Sequence, residues 1–177
     1  MVTTNTRSIP VGVSSCLLGH NVRYDGRNKL NNQVLALCEA FNCIAICPEY
    51  AIGLGIPRAP INIIQVENRY RVKGSATPDL DVTEELIDYA NHIRDSQPQI
   101  CGYVFKSRSP SCGLQSTPFF NEKGSHLGDT DGIFCSRIRC LFPGLPVTEE
   151  THLEEEQTVK QFQDAVIQYA KEHGVVD

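Results

Sequence analysis

Residues 9–14 read IPVGVS, an apolar and largely β-branched run that stops at the polar pair Ser14-Ser15. Such a run, with no polar alternation along it, reads as a buried strand. CIAI (43–46) and ICGYVF (100–105) have the same character and also end in polar or proline-bearing segments. Two further runs, 61–66 and 69–72, meet at Glu67-Asn68 and suit a hairpin or an irregular substrate-side loop. Helical patterns separate the strands. Val34, Leu37, Cys38 and Phe41 recur every three or four residues, as do Val82, Leu86, Tyr89 and Ile93, and again Val159, Phe162, Val166 and Tyr169. Asp81 with Glu84 resembles a capping box, and Gly174 is placed to end the last helix. Strands alternating with helices predict an α/β protein, a three-layer αβα sandwich around a Rossmann-like, mostly parallel sheet. The chain of 177 residues suits a single domain over 1–177.

Composition removes several classes of function. A net charge of -5 lacks the basic surplus that sequence-independent nucleic-acid binding requires. No stretch approaches the roughly 20 apolar residues of a membrane span, and MVTTNTRSIP carries no apolar signal core, so a cytoplasmic protein is expected. In that compartment eight cysteines are not expected to form disulfides; they fill the core, react or bind metal. Acidic residues crowd 149–156, whereas Arg23, Arg27, Lys29, Arg58, Lys106 and Arg108 lie near the cysteine motifs.

The cysteines sort by position. Cys38 falls on an apolar helix face, Cys101 inside a strand run, Cys43 at a strand start, and Cys135 and Cys140 in the apolar IFCSRIRCLF; all five read as small buried hydrophobes. Cys16, Cys47 and Cys112 instead each follow the carboxyl end of a predicted strand, where open α/β sheets form their ligand crevice. Three converging thiolates suit a metal. A closed zinc site commonly takes four ligands, as does an iron–sulfur cluster, and with three ligands one coordination position stays open for a substrate atom. Glu49, two residues beyond Cys47, is a candidate general base, and Ser109 in the proline-stiffened SPSCG loop is a candidate hydroxyl. The five histidines show no metal-binding spacing and read as surface or hydrogen-bond-satisfied residues, His20 standing closest to a candidate ligand.

SSCLLGHNVRYDGRNK (14–29), CPEYAIGLGIPRAP (47–60), FKSRSPSCG (105–113) and GDTDGIF (128–134) together resemble a widespread bacterial family long known only as a domain of unknown function, some of whose members are thiouracil desulfidases. The resemblance implies a [4Fe-4S] cluster held by Cys16, Cys47 and Cys112, with catalysis by Glu49 and Ser109. The chain departs from the family pattern at Ile52-Gly53, Gly55, Asn62 and PFFNEKG (118–124), and keeps the three cysteines. The implied activity is non-redox desulfuration of a thiocarbonyl such as a thiolated nucleobase. In it the substrate sulfur meets the open iron, water activated by Glu49 attacks carbon, and hydrosulfide leaves. Two competing readings are a non-catalytic iron–sulfur or zinc sensor or partner module, with Cys43 as a fourth ligand, and cluster-free chemistry on a Cys112 thiolate.

Overall fold

The computed structural model of the chain describes residues 5–77 and 79–177. Its larger sheet contains β1 (Pro10–Ser14), β2 (Asn42–Ile46), β5 (Gly102–Phe105) and β8 (Val147–Glu149), in the order β2-β1-β5-β8 and parallel throughout. The smaller sheet contains β3 (Ile61–Val66), β4 (Arg69–Gly74), β6 (Thr117–Asn121) and β7 (His126–Thr130), in the order β4-β3-β6-β7. The helices are α1 (Asn32–Ala40), α2 (Pro48–Ala51), α3 (Thr83–Ser96), α4 (Ile133–Leu141) and α5 (Glu156–Glu172).

IPVGVS supplies β1, whose five residues are all buried, next to the equally buried β5. CIAI falls in β2, but at the sheet edge, so most of this strand is half-buried or exposed rather than internal. Side-chain alternation assigns the two faces of the sheet. Gly102 meets Val166 and Phe162 of α5, and Cys43, in register with Val11 and Gly102, is bonded to Cys38 of α1. Tyr103, one residue on, packs with Phe134 of α4, which in turn stacks with Tyr89 of α3. Helices α1 and α5 therefore cover one face and α3 and α4 the other. The result is the three-layer αβα arrangement that the sequence pattern predicts.

The helix signals hold, with one change of detail. Asn31 accepts the Val34 N–H to start α1, and Gly174, with φ 67°, donates its N–H to Lys171 after α5. Asp81 accepts from both the N–H and the hydroxyl of Thr83, but Glu84 turns outward to Arg71 instead of closing a capping box. Of the two forms open to the 61–66 and 69–72 runs the hairpin is the one present, turning at Glu67-Asn68 and pairing Val66 with Arg69 through to Ile61 with Gly74. Helix α4 and strands β6 to β8 carry little sequence signal. Strand β7, HLGDT, is largely exposed, and β8 is three residues long. Apolar residues of β3 and β4 pack on Val82, the N-cap of α3, and on Leu86 within it as a second core, while Ala90 and Ile93 of the same helix enter the main one.

Two cysteine expectations are overturned. Cys38 and Cys43 form a disulfide with Cα atoms 5.4 Å apart, because the helix–strand turn places them face to face. Cys140 is exposed, since α4 turns that residue to the outside; Cys101 and Cys135 are buried as expected.

Gly12 marks the tightest packing in the sheet. A Cβ there would lie 2.5 Å from the Tyr103 ring, which crosses β1 at this point. Gly12→Ala is expected to lower stability by about 1–3 kcal/mol, the usual cost of overpacking a core, read as a reduced urea midpoint at unchanged m-value.

Candidate active site

In the larger sheet β1 is followed in sequence by β2 on one side and flanked by β5 on the other. The chain therefore changes direction between β1 and β5, the kind of point at which α/β sheets open a crevice at their carboxyl ends. A cavity of about 410 Å³ lies there, and Cys16, Cys47, Glu49, Ser109 and Cys112 all line it. The five residues singled out by the sequence thus meet in one place.

Each thiol arrives on a differently built loop. Cys16 sits in a 3-10 turn, Ser15–Leu18, that directly continues β1 and ends at Gly19 with φ 90°. The following loop folds back, Lys29 N–H donating to the Cys16 carbonyl at 2.9 Å and Asn31 N–H to that of Leu17 at 3.0 Å. Cys47 is the N-cap of α2, Pro48 taking the first helical position, where no N–H is needed. Cys112 stands in a loop closed at Ser109, whose hydroxyl oxygen accepts the N–H groups of Ser111 (3.3 Å) and Cys112 (3.1 Å). The Ser109 carbonyl accepts from Gly113 N–H and Thr117 hydroxyl, both at 2.8 Å. A side chain at position 113 would run into Thr117, so the glycine after Cys112 is a steric requirement.

Helix α4 fixes this loop from the other side. Its first N–H groups have no partner within the helix. Here Ile133 donates to the Pro110 carbonyl (3.1 Å), Cys135 to that of Ser111 (3.0 Å), and Gly132 to that of Gly113 (2.7 Å). Gly132 allows the approach, since a Cβ would lie 2.4 Å from the Ser111 backbone.

Two buried carboxylates at the end of β8 hold the rest of the loop. Glu149 accepts from Leu114 N–H at 2.7 Å and from the Ser116 hydroxyl. Glu150 accepts from Ser107 N–H (2.8 Å), Ser107 hydroxyl (2.7 Å) and the Lys106 ammonium. In the sequence these two acids look like part of the exposed 149–156 cluster. In the fold Glu149 and Glu150 are buried and Glu154, Glu155 and Glu156 exposed.

Glu49 is clamped as well. Arg58, whose side chain is 6% exposed, donates Nε (3.0 Å) and Nη2 (2.9 Å) to Glu49 Oε2. Its remaining donors reach the carbonyls of Gly55 (2.9 Å) and Val22 (3.0 Å). Ser111 donates its hydroxyl to Glu49 Oε1 at 2.9 Å. Neither Arg58 nor Ser111 stood out in the sequence as a partner of Glu49; only their places in PRAP and SPSC marked them.

The thiols feel one another. Burial, then the neighbouring Cys47, pushes Cys16 up to about 11, against the opposing charges of Lys106 and Arg23. Burial raises Cys47 too, partly offset by the Tyr50 N–H at its sulfur. Cys112 lies well above its ordinary value through burial and then Cys47, with the Ser14 hydroxyl bonded to it working the other way. Metal binding must therefore displace protons from all three thiols.

Among the described residues no three Cys, His, Asp or Glu side chains gather closely enough to hold one metal ion. The lining adds Arg23, Lys29 and Lys106, cations suited to an anionic thiolate centre. Among the described residues Arg23 Nε and the Tyr103 hydroxyl are the buried side-chain polar atoms without a hydrogen-bond partner. Cys43 cannot serve as a fourth thiolate while it is bonded to Cys38. The five histidines are exposed, as expected.

A protein of Bacillus subtilis (strain 168), the uncharacterized YbbK, is 31% identical over 112 residues, covering 57% of this chain and 71% of that protein. Among solved structures the [4Fe-4S]-dependent thiouracil desulfidase TudS superposes with a TM-score of 0.65 at 32% identity, covering 86% of this chain and 98% of TudS. The model of the 2-thiouracil desulfurase family matches residues 11–150, from β1 through the buried Glu150, and the chain belongs to that family.

Proposed function

We propose that the chain removes sulfur from a thiocarbonyl compound such as thiouracil, with a [4Fe-4S] cluster held by Cys16, Cys47 and Cys112. The observation that carries this reading is the convergence of three thiols from three strand ends on a cavity that also presents Glu49 and Ser109. Family membership and the likeness to a [4Fe-4S]-dependent thiouracil desulfidase support it. A cluster bound through three thiolates keeps one iron open as a Lewis acid for a substrate sulfur.

The protein's own part is proton transfer and positioning. A carboxylate offers about four lone-pair sites. Arg58 takes two on Oε2 and Ser111 one on Oε1, which leaves Glu49 one site on Oε1 to accept from water. Glu49 takes a proton from that water as its oxygen bonds to the thiocarbonyl carbon. When the carbon–sulfur bond breaks, Glu49 returns that proton to the leaving sulfur and the new hydroxyl loses its own proton to solvent, so thiocarbonyl and water become carbonyl, hydrosulfide and a proton. The oxygen of Ser109 is occupied by loop N–H groups, so its own proton is available to a polar atom of the substrate. The two sheets act as one domain, because α3 enters both cores. No helix among the described residues is long and apolar enough to cross a membrane. A reducing, cytoplasmic setting protects the three ligand thiols from oxidation.

Cys16→Ala, Cys47→Ala and Cys112→Ala, purified without oxygen, are each expected to lose most bound iron and acid-labile sulfide. A full cluster in any of them removes that residue from the ligand set. Glu49→Gln is expected to keep the cluster spectrum and lower kcat for thiouracil by about 10²–10⁴-fold, the usual contribution of a positioned acid or base. Unchanged turnover excludes Glu49 as the base.

A further inference from the structure

The thiols, Glu49 and Ser109 act on the carbon–sulfur bond and leave open what holds the remainder of a ring-shaped substrate. Among the described residues Tyr24 is the one aromatic residue lining the cavity. It is 42% exposed, so the ring stands at the mouth and not in the wall behind the thiols. Its one cation or aromatic partner among the described residues is the Arg23 guanidinium, 5.5 Å from the ring centroid, and its second face is free of both. An amphipathic ring open to a pocket is the usual material of a ligand-binding wall.

The ring is carried by a stiff segment. Arg23 to Arg27 close a turn in which Gly26 N–H donates to the Arg23 carbonyl (2.9 Å) and Arg23 N–H to that of Arg27 (3.2 Å). Asp25 accepts the Arg27 N–H at 3.1 Å and sits 3.5 Å from Arg23 Nε, which steadies the guanidinium beside the ring. Arg58 then ties the turn to the reacting groups. Its backbone N–H donates to the Tyr24 carbonyl at 2.9 Å, while its side chain holds Glu49 and the Val22 carbonyl that faces the Cys47 sulfur. One arginine therefore sets Tyr24 in place relative to both Glu49 and Cys47. A tyrosine on such a support has two side-chain torsions to fix, so little freedom is lost when a ligand covers it.

We propose that Tyr24 is the stacking platform for the flat, unsaturated ring of the substrate, and that it makes the cavity selective for conjugated heterocyclic thiocarbonyls over saturated ones. The inference rests on the thiocarbonyl reading of this site. A pyrimidine has a π face that can lie offset against a tyrosine whatever its ring substituents are. Stacking holds the ring equally before and during the chemical step, so it lowers KM and leaves kcat alone.

Uracil and dihydrouracil share one imide edge, but only uracil is flat and conjugated, and neither carries a sulfur to remove. Saturation-transfer NMR titrations of the anaerobically reconstituted protein with these two compounds therefore read recognition of the ring face apart from turnover. Wild type and Tyr24→Phe are expected to bind uracil more tightly than dihydrouracil. Tyr24→Ala is expected to weaken uracil by about 5–150-fold, the usual range for losing one base–aromatic stack, and dihydrouracil far less. KM for thiouracil should rise by a similar factor at nearly unchanged kcat. Equal weakening of both rings, or no weakening, overturns the proposal. Should the alanine variant not fold, Tyr24→Leu, which keeps apolar bulk without a π face, is read by the same criteria. Uracil binding that depends on Tyr24 without any turnover of thiouracil sinks the desulfuration reading and leaves the platform standing. Turnover by a wild type that shows no preference for uracil over dihydrouracil does the reverse.

Discussion

The site depends above all on one buried guanidinium. Arg58 joins three loops that share no sheet hydrogen bond: the segment after Cys16 through the Val22 carbonyl, the α2 turn through Glu49, and its own approach through the Gly55 carbonyl. Its backbone N–H adds a bond to the Tyr24 carbonyl at 2.9 Å. Each contact satisfies a donor in a rigid fork, so the loops are fixed relative to one another and not merely held close. The Cys47 sulfur lies 3.9 Å from that same Val22 carbonyl, which makes the first two thiol loops a single unit.

The third loop reaches the same cavity by different means. It contains almost no regular structure, and its backbone groups are satisfied from outside: by the N-terminal N–H groups of α4 and by two carboxylates from the end of β8. A loop bonded in this way has little freedom to move its cysteine. Ser111 then ties the two halves together, since its carbonyl belongs to the α4 contact and its hydroxyl to Glu49. The proposed base and the proposed third ligand are thus positioned by adjacent residues of one short segment.

What the sequence disclosed follows from this division. Strands β1, β2 and β5 of the main sheet and three helices were legible because apolar runs and apolar periodicity report burial directly. The cysteine and Glu49 positions were legible because strand ends place them. Strands β6 and β7 were not: TPFFN and HLGDT, the inner and edge strands of one half of a small sheet, are mostly half-buried or exposed, which erases the alternation. Glu149 and Glu150 were not either, because nothing in a run of acids tells which will be buried against backbone donors. The Cys38–Cys43 disulfide escaped an argument from compartment, since its cause is local: a helix end and a strand start facing each other. Gly132 and Gly12 were visible as letters, but the need for them lies in two close approaches that only the fold defines.

A buried ion pair is a weak source of stability, because desolvating both charges costs about as much as their attraction returns. The reason to keep Arg58 and Glu49 together must then be geometric. Leucine and methionine would fill the volume, but would leave the Val22 and Gly55 carbonyls without their donors and the cavity without its carboxylate. Lysine would keep the charge and lose the fork, so it could not hold Oε2 from two directions while reaching two carbonyls. Arginine at position 58 is the residue that spends both Oε2 lone pairs of Glu49 on structure and leaves Oε1, shared only with Ser111, with a site for a further donor.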